Sequence, residues 1–235
     1  MLDRLRALSE EDRHVALVLA LTLSTGAVDA VSYFSLDHVF TANMSGNMAL
    51  LGIGLATHLG DVAGNVYAFF GFIVGSILVG RFLRSHDGPF LRTAVDALAF
   101  QLLLLVGLTV IVAAVDVHDH DAWRYVVCAL LAAAMGVQTG VARHFAVKDV
   151  NTTVATMTLH DLAAASRLAG GDSIRWRRRA GVVVALLAGA AIGVLLDKAV
   201  RWGGLGFTCV TVAVVIACTV AILRDEPRPA AASGG

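Results

Sequence analysis

Asp29 is a carboxylate two-thirds of the way along an apolar run, where a charge is costly and functional by default. There it can carry a proton, bind a cation, or accept hydrogen bonds from neighbouring backbone. A polar cluster follows it: Thr41, Asn43, Ser45 and Asn47, in the segment Val39-Phe-Thr-Ala-Asn-Met-Ser-Gly-Asn47. The second half of the chain repeats the arrangement. Gly26-Ala-Val-Asp29 is matched by Gly136-Val-Gln138-Thr139, and the polar cluster by Asn151-Thr152-Thr153-Val-Ala-Thr156-Met-Thr158. With one inserted residue, Thr41 falls on Thr152, Ser45 on Thr156 and Asn47 on Thr158. Hydroxyls and amides of this kind can replace water around a small polar solute without binding it through full charge. They can equally cap short helices, and the two roles are compatible. The predicted solute-binding set is Asp29, Thr41, Asn43, Ser45, Asn47, Gln138, Thr152, Thr153, Thr156 and Thr158.

Other polar groups carry less. Asp96 sits one turn inside a span and reads as a snorkelling carboxylate, with Gln101 a secondary candidate beside it. His160-Asp161 could relay protons or form a solvated face. His118-Asp-His-Asp121 alternates potential metal ligands without a fixed ligand geometry and reads as a solvated turn, so no metal or other cofactor is expected. Arg175-Trp-Arg-Arg-Arg179 reads as a topology anchor at anionic headgroups. With no phosphate loop, nucleophile elbow or zinc-protease helix, an enzymatic reading has no footing. The absence of a basic patch interleaved with aromatics speaks against nucleic acid.

The elements that must position these groups are membrane spans. The chain is 57% hydrophobic with a mean hydropathy of +0.76. Apolar runs long enough for a hydrocarbon core of about 30 Å lie at 14–36, 62–83, 93–115, 124–142, 180–200 and 204–223. Residues 39–56 and 150–168 are ambiguous, since both begin with polar residues. If both cross, the chain has eight spans in parallel halves. If both re-enter, it has six spans and the second half is inverted. Lysine and arginine collect on cytoplasmic flanks. In the six-span arrangement all of the 18 basic residues except Arg124, Lys198 and Arg201 lie inside. In the eight-span arrangement Arg81, Arg84, Arg92, Arg143 and Lys148 join the outer side. The sequence therefore favours six spans with both termini cytoplasmic.

Re-entrant backbone survives at membrane depth only where protein or a water-filled cavity covers it. Gly46 and the Ser and Asn side chains around it suit that role. Two half-helices whose N-termini meet at the midplane would create a site of positive dipole ends. Ser9-Glu-Glu-Asp12 is expected to cap the first span. Gly71 and Gly75, and Ala185, Gly189 and Gly193, form small-residue stripes for close helix packing, within the chain or in a homodimer. Cys128, Cys209 and Cys218 lie in apolar spans and read as small buried hydrophobes.

The segments 25–34, 39–47, Gly136-Val-Gln138 and 151–156 resemble the YoaK-like family of bacterial integral membrane proteins of unknown function. The resemblance covers almost the whole chain and implies the bacterial cytoplasmic membrane, but no substrate. The arrangement of two broken segments is also similar to that of anion and nucleobase transporters, an analogy of architecture alone. The fold expected is an all-α polytopic bundle with about six transmembrane helices plus two re-entrant segments in two inverted repeats. A cytoplasmic amphipathic segment spans 1–13, the repeats 14–116 and 117–224, and a disordered tail 225–235. The function expected is secondary transport or uniport of a small polar or anionic solute across the lipid bilayer. The alternatives are a membrane sensor or assembly module that does not transport, or a channel.

Overall fold

The computed structural model describes residues 9–57, 62–86, 90–115, 121–145, 155–171 and 176–225. The described residues form eight α-helices: α1 Glu10–Ser35, α2 Met44–Thr57, α3 Val62–Ser85, α4 Phe90–Ala114, α5 Asp121–His144, α6 Ala155–Ala164, α7 Trp176–Ala199 and α8 Gly203–Asp225. A 3₁₀ turn, Arg167–Ala169, follows α6. Six helices have apolar stretches of at least 22 residues, or about 33 Å at 1.5 Å per residue, enough to cross. The 14 residues of α2 and the 10 of α6 extend only about 21 and 15 Å, so neither crosses. The fold is a six-span α-helical membrane bundle with two short non-spanning helices.

Lipid cannot drive apolar helices together as water does, so close backbone packing and buried hydrogen bonds hold the bundle. α1 packs most extensively on α7, and α3 on α5. Glycine makes both approaches. A Cβ at Gly26 would strike the Leu186 carbonyl, and one at Gly136 the Phe72 carbonyl. Gly75 is pressed on the Ala133 carbonyl and Gly189 on that of Leu23. The small-residue stripes are thus occupied within the chain.

α1 and α7 run parallel. At one end Arg178 reaches Glu11, and also Asp12 at 2.9 Å. At the other, the Ser35 hydroxyl donates to Asp197 Oδ2 at 2.8 Å. Ser9 caps α1 as expected, its hydroxyl oxygen accepting the Asp12 N–H at 3.2 Å. α1 and α5 run antiparallel: His14 meets Phe145 at one end, and Asp37 meets Arg124 at the other.

Two apolar clusters fill the interior, one around Leu21, Leu98 and Val141, the other around Val28, Leu105 and Met135. Between them lies a polar layer of Ser24, Thr25, Gln101 and Gln138. Outside, residues such as Leu103, Leu187 and Val210 face the lipid. Half-exposed Trp176 marks one end of the bundle, and Trp123 and Trp202 the other, as suits aromatic rings at membrane interfaces. All three cysteines are free; Cys128 and Cys218 are buried and Cys209 half-buried. Residues 1–8, the tail beyond Asp225, His118 to His120, Lys148 and Arg175 lie outside the described residues.

Candidate functional site

The site is built on the end of α1. After Leu36 the chain turns back through Asp37 and His38, whose φ angles of 56° and 65° lie in the left-handed region that non-glycine residues seldom occupy. Residues Val39, Thr41 and Ala42 are then buried without helical hydrogen bonds of their own. At this depth each orphan N–H would cost free energy. Asp29 supplies the acceptor. Its Oδ1 receives the N–H groups of Thr41 at 3.0 Å, Ala42 at 2.7 Å and Asn43 at 3.3 Å. All three land on one oxygen, leaving Oδ2 outside the set.

Asn47, 1% exposed, holds the segment from the other side. Its Oδ1 accepts the Phe40 N–H at 2.8 Å, and its Nδ2 donates to the Phe40 carbonyl. Asn43 caps α2, accepting the Gly46 N–H at 3.3 Å and the Ser45 hydroxyl at 2.9 Å. The Thr41 hydroxyl lies 3.4 Å from that of Ser32. Gly46 fits where a Cβ would come within 2.9 Å of the Phe40 ring. Phe40 itself stacks on Tyr33 with centroids 4.9 Å apart.

Five predicted residues, Asp29, Thr41, Asn43, Ser45 and Asn47, therefore form one cluster. Asp29, Asn43 and Asn47 brace backbone; Asn43 and Ser45 are exposed, while Thr41 is buried. Gln138 belongs to a different place. Its Oε1 accepts from Gln101 at 2.7 Å and Ser24 at 3.2 Å, and its Nε2 donates to Thr25 at 2.9 Å and to the Leu21 carbonyl at 3.0 Å. It ties α1, α4 and α5 together with its hydrogen-bonding capacity filled.

In the second half, Thr158 is buried and Thr156 exposed, as are their counterparts Asn47 and Ser45. Thr152 and Thr153 lie outside the described residues. α2 packs on α3, and α6 on α7. A meeting of two helix N-termini depends on residues 151–154, also outside the described part. Asp96 is exposed on α4, and His160 is exposed on α6, where the Asp161 carbonyl accepts from Arg179 at 3.2 Å.

The sequence reading missed Ser24 and Thr25 as partners of Gln138, and missed a second polar site altogether. A cavity of about 200 Å³ between α1, α4, α5, α7 and α8 is lined by Ser32, Ser35, Asp197 and Arg201 among apolar side chains. Asp197 is the only acid of the run 180–200, and that is the signal by which the sequence could have found it.

The chain belongs to the family described as "Protein of unknown function (DUF1275)", which matches residues 17–222. It is similar to the UPF0700 transmembrane protein YoaK of Bacillus subtilis (strain 168), with 33% identity over 151 residues. That match covers 62% of this chain and 64% of YoaK, just under two thirds of the relative's length. No solved structure matches the chain.

Proposed function

We propose that this protein is a secondary transporter or uniporter of a small polar solute, built from two inverted halves in the bacterial cytoplasmic membrane with both termini inside. The observation that carries the reading is reciprocal packing between the halves. The first long helix of each half, α1 or α5, packs on the second long helix of the other, α7 or α3, through matched glycines. α1 and α5 are antiparallel, and the sequence of buried and half-buried positions at 21–32 recurs unchanged at 131–142. Inverted halves of this kind support alternating access, because each half can adopt the arrangement of its partner.

The halves also differ in one respect that such a cycle requires. α7 and α8 pack together, whereas α3 and α4 touch little and leave a cavity of about 290 Å³ bordered by Phe82, Asp96 and Phe100. Closure there and opening between α7 and α8 would convert one state into the other.

The geometry narrows the solute. The N–H groups before α2, attractive to an anion, already receive Asp29. A neutral or cationic polar solute fits this half better than an anion. Proton coupling would act through Asp29, because protonation removes the negative charge that binds residues 41–43 and so loosens the segment.

Currents or tracer uptake in proteoliposomes, after concentration jumps of a panel of small polar solutes, test the reading. Saturable flux that falls in Asp29→Asn is expected. Flux that rises linearly without saturation would make the protein a channel, and binding without flux would make it a sensor.

A further inference from the structure

We infer that the cavity where α1, α4, α5, α7 and α8 meet binds a short primary alkylammonium, held by the carboxylate of Asp197 and the hydroxyl oxygens of Ser32 and Ser35. Binding there does not depend on whether the protein transports.

The acid of this cavity is incompletely satisfied. Asp197 Oδ2 accepts the Ser35 hydroxyl at 2.8 Å, but Oδ1 is buried without a hydrogen bond. The N–H of Gly204 approaches the carboxylate without bonding to Oδ1. No basic side chain among the described residues forms an ion pair with Asp197; those pairs fall on Glu11, Asp12 and Asp37. Lys198 is exposed, and Arg201, at the border of the cavity, is exposed and has an interaction of its own. The buried carboxylate oxygen is therefore left for an occupant to supply with a donor and a positive charge.

A primary ammonium matches what the wall offers. Its charge answers Asp197, and its three N–H donors call for three acceptors. Ser35 gives its hydrogen to Asp197, and Ser32 gives its own to the Asp29 carbonyl at 3.1 Å while taking that of Thr41 at 3.4 Å. Each serine oxygen thus keeps a lone pair for an N–H. Both serines line the cavity, as Asp197 does. Three side-chain oxygens are too few for a hard metal cation, which takes about six or more. The rest of the wall is apolar, formed by residues such as Val112, Leu131 and Leu205, and suits a hydrocarbon tail. The cavity holds about 200 Å³. An apolar cavity of roughly 150 Å³ accommodates benzene, so a tail of about four carbons fits here.

The test is isothermal titration of the full chain in detergent with n-butylammonium, n-butanol and tetramethylammonium, against empty micelles. Butylammonium should bind saturably. Butanol keeps the tail and loses the charge, and tetramethylammonium keeps the charge and loses the N–H donors. Each should bind roughly tenfold more weakly or worse, the scale of one charge-assisted contact. Asp197→Asn should weaken butylammonium by a similar factor. Val112→Phe, which narrows the cavity from α4 and leaves the carboxylate in place, should abolish binding and covers the case in which Asp197→Asn does not fold. Butylammonium failing to bind the folded wild type, butanol or tetramethylammonium equalling it, or its binding unaffected by Asp197→Asn or Val112→Phe overturns the proposal.

Discussion

Asp29 and Asn47 act on the same stretch of backbone from opposite sides, and their substitution should separate charge from hydrogen bonding. Asn47→Ala leaves the Phe40 N–H and carbonyl without their partner. A loss of about 1–3 kcal/mol is expected, the cost of leaving a buried polar group unsatisfied. It would be read as a lower midpoint of thermal unfolding in detergent. Asp29→Asn keeps an acceptor oxygen but removes the charge that strengthens three N–H contacts, so a smaller loss is expected. A larger fall in Asp29→Asn than in Asn47→Ala would contradict this ranking. At this scale the sequence was only half legible. It pointed to Asp29 because a mid-span carboxylate is conspicuous. It could not say that Asp29 takes backbone N–H groups, since main-chain donors leave no mark in a sequence. Gln138 was singled out beside the same site, yet its partners lie on α1 and α4, a fact of tertiary packing.

Among the elements, the two short helices decide the topology. α2 is too short to cross, so Thr57 at its end should lie on the same face as Ser35 and Val62. With Cys128, Cys209 and Cys218 replaced, a cysteine at Thr57 should react with an impermeant thiol reagent applied to intact cells. Reaction only after permeabilisation would mean that the segment crosses or that the whole chain is oriented oppositely. Packing between elements gives a second expectation. Gly75→Leu and Gly189→Leu each drive a side chain into a neighbouring carbonyl. Each should destabilise by about 1–3 kcal/mol or more, as overpacking does, with similar falls in unfolding midpoint. A marked inequality would speak against equivalence of the halves. The sequence marked the spans through hydropathy and both stripes through small-residue spacing. It did not reveal which helix each stripe would meet, because small residues advertise closeness and not a partner.

For the whole molecule, reciprocal packing is the central property. Neither half forms its main contacts alone: α1 relies on α7, and α5 on α3. Loop charge and the repeated polar segments led the sequence to suggest an inverted relation, but nothing in it pointed to the crossed partnership. Asp197 lay outside the candidates that the sequence suggested. It sits half-buried beside the cavity where α1, α4, α5, α7 and α8 converge, an arrangement of tertiary packing. A fragment ending after α4 should therefore yield little protease-resistant protein, whereas co-expressing it with a fragment beginning at α5 should restore the intact bundle. Recovery of a stable, monodisperse first half alone would refute this.

The clasp of Arg178 on Glu11 and Asp12 has a consequence for biosynthesis. The ribosome releases α1 first, yet its neighbour α7 does not begin until Trp176 has been made. Throughout that interval the face of α1 bearing Leu23, Gly26 and Ala27 waits in the membrane without its final cover. An insertase or chaperone that shields small-residue helix faces would find its client at this stage, until the late arginine closes on the early acids.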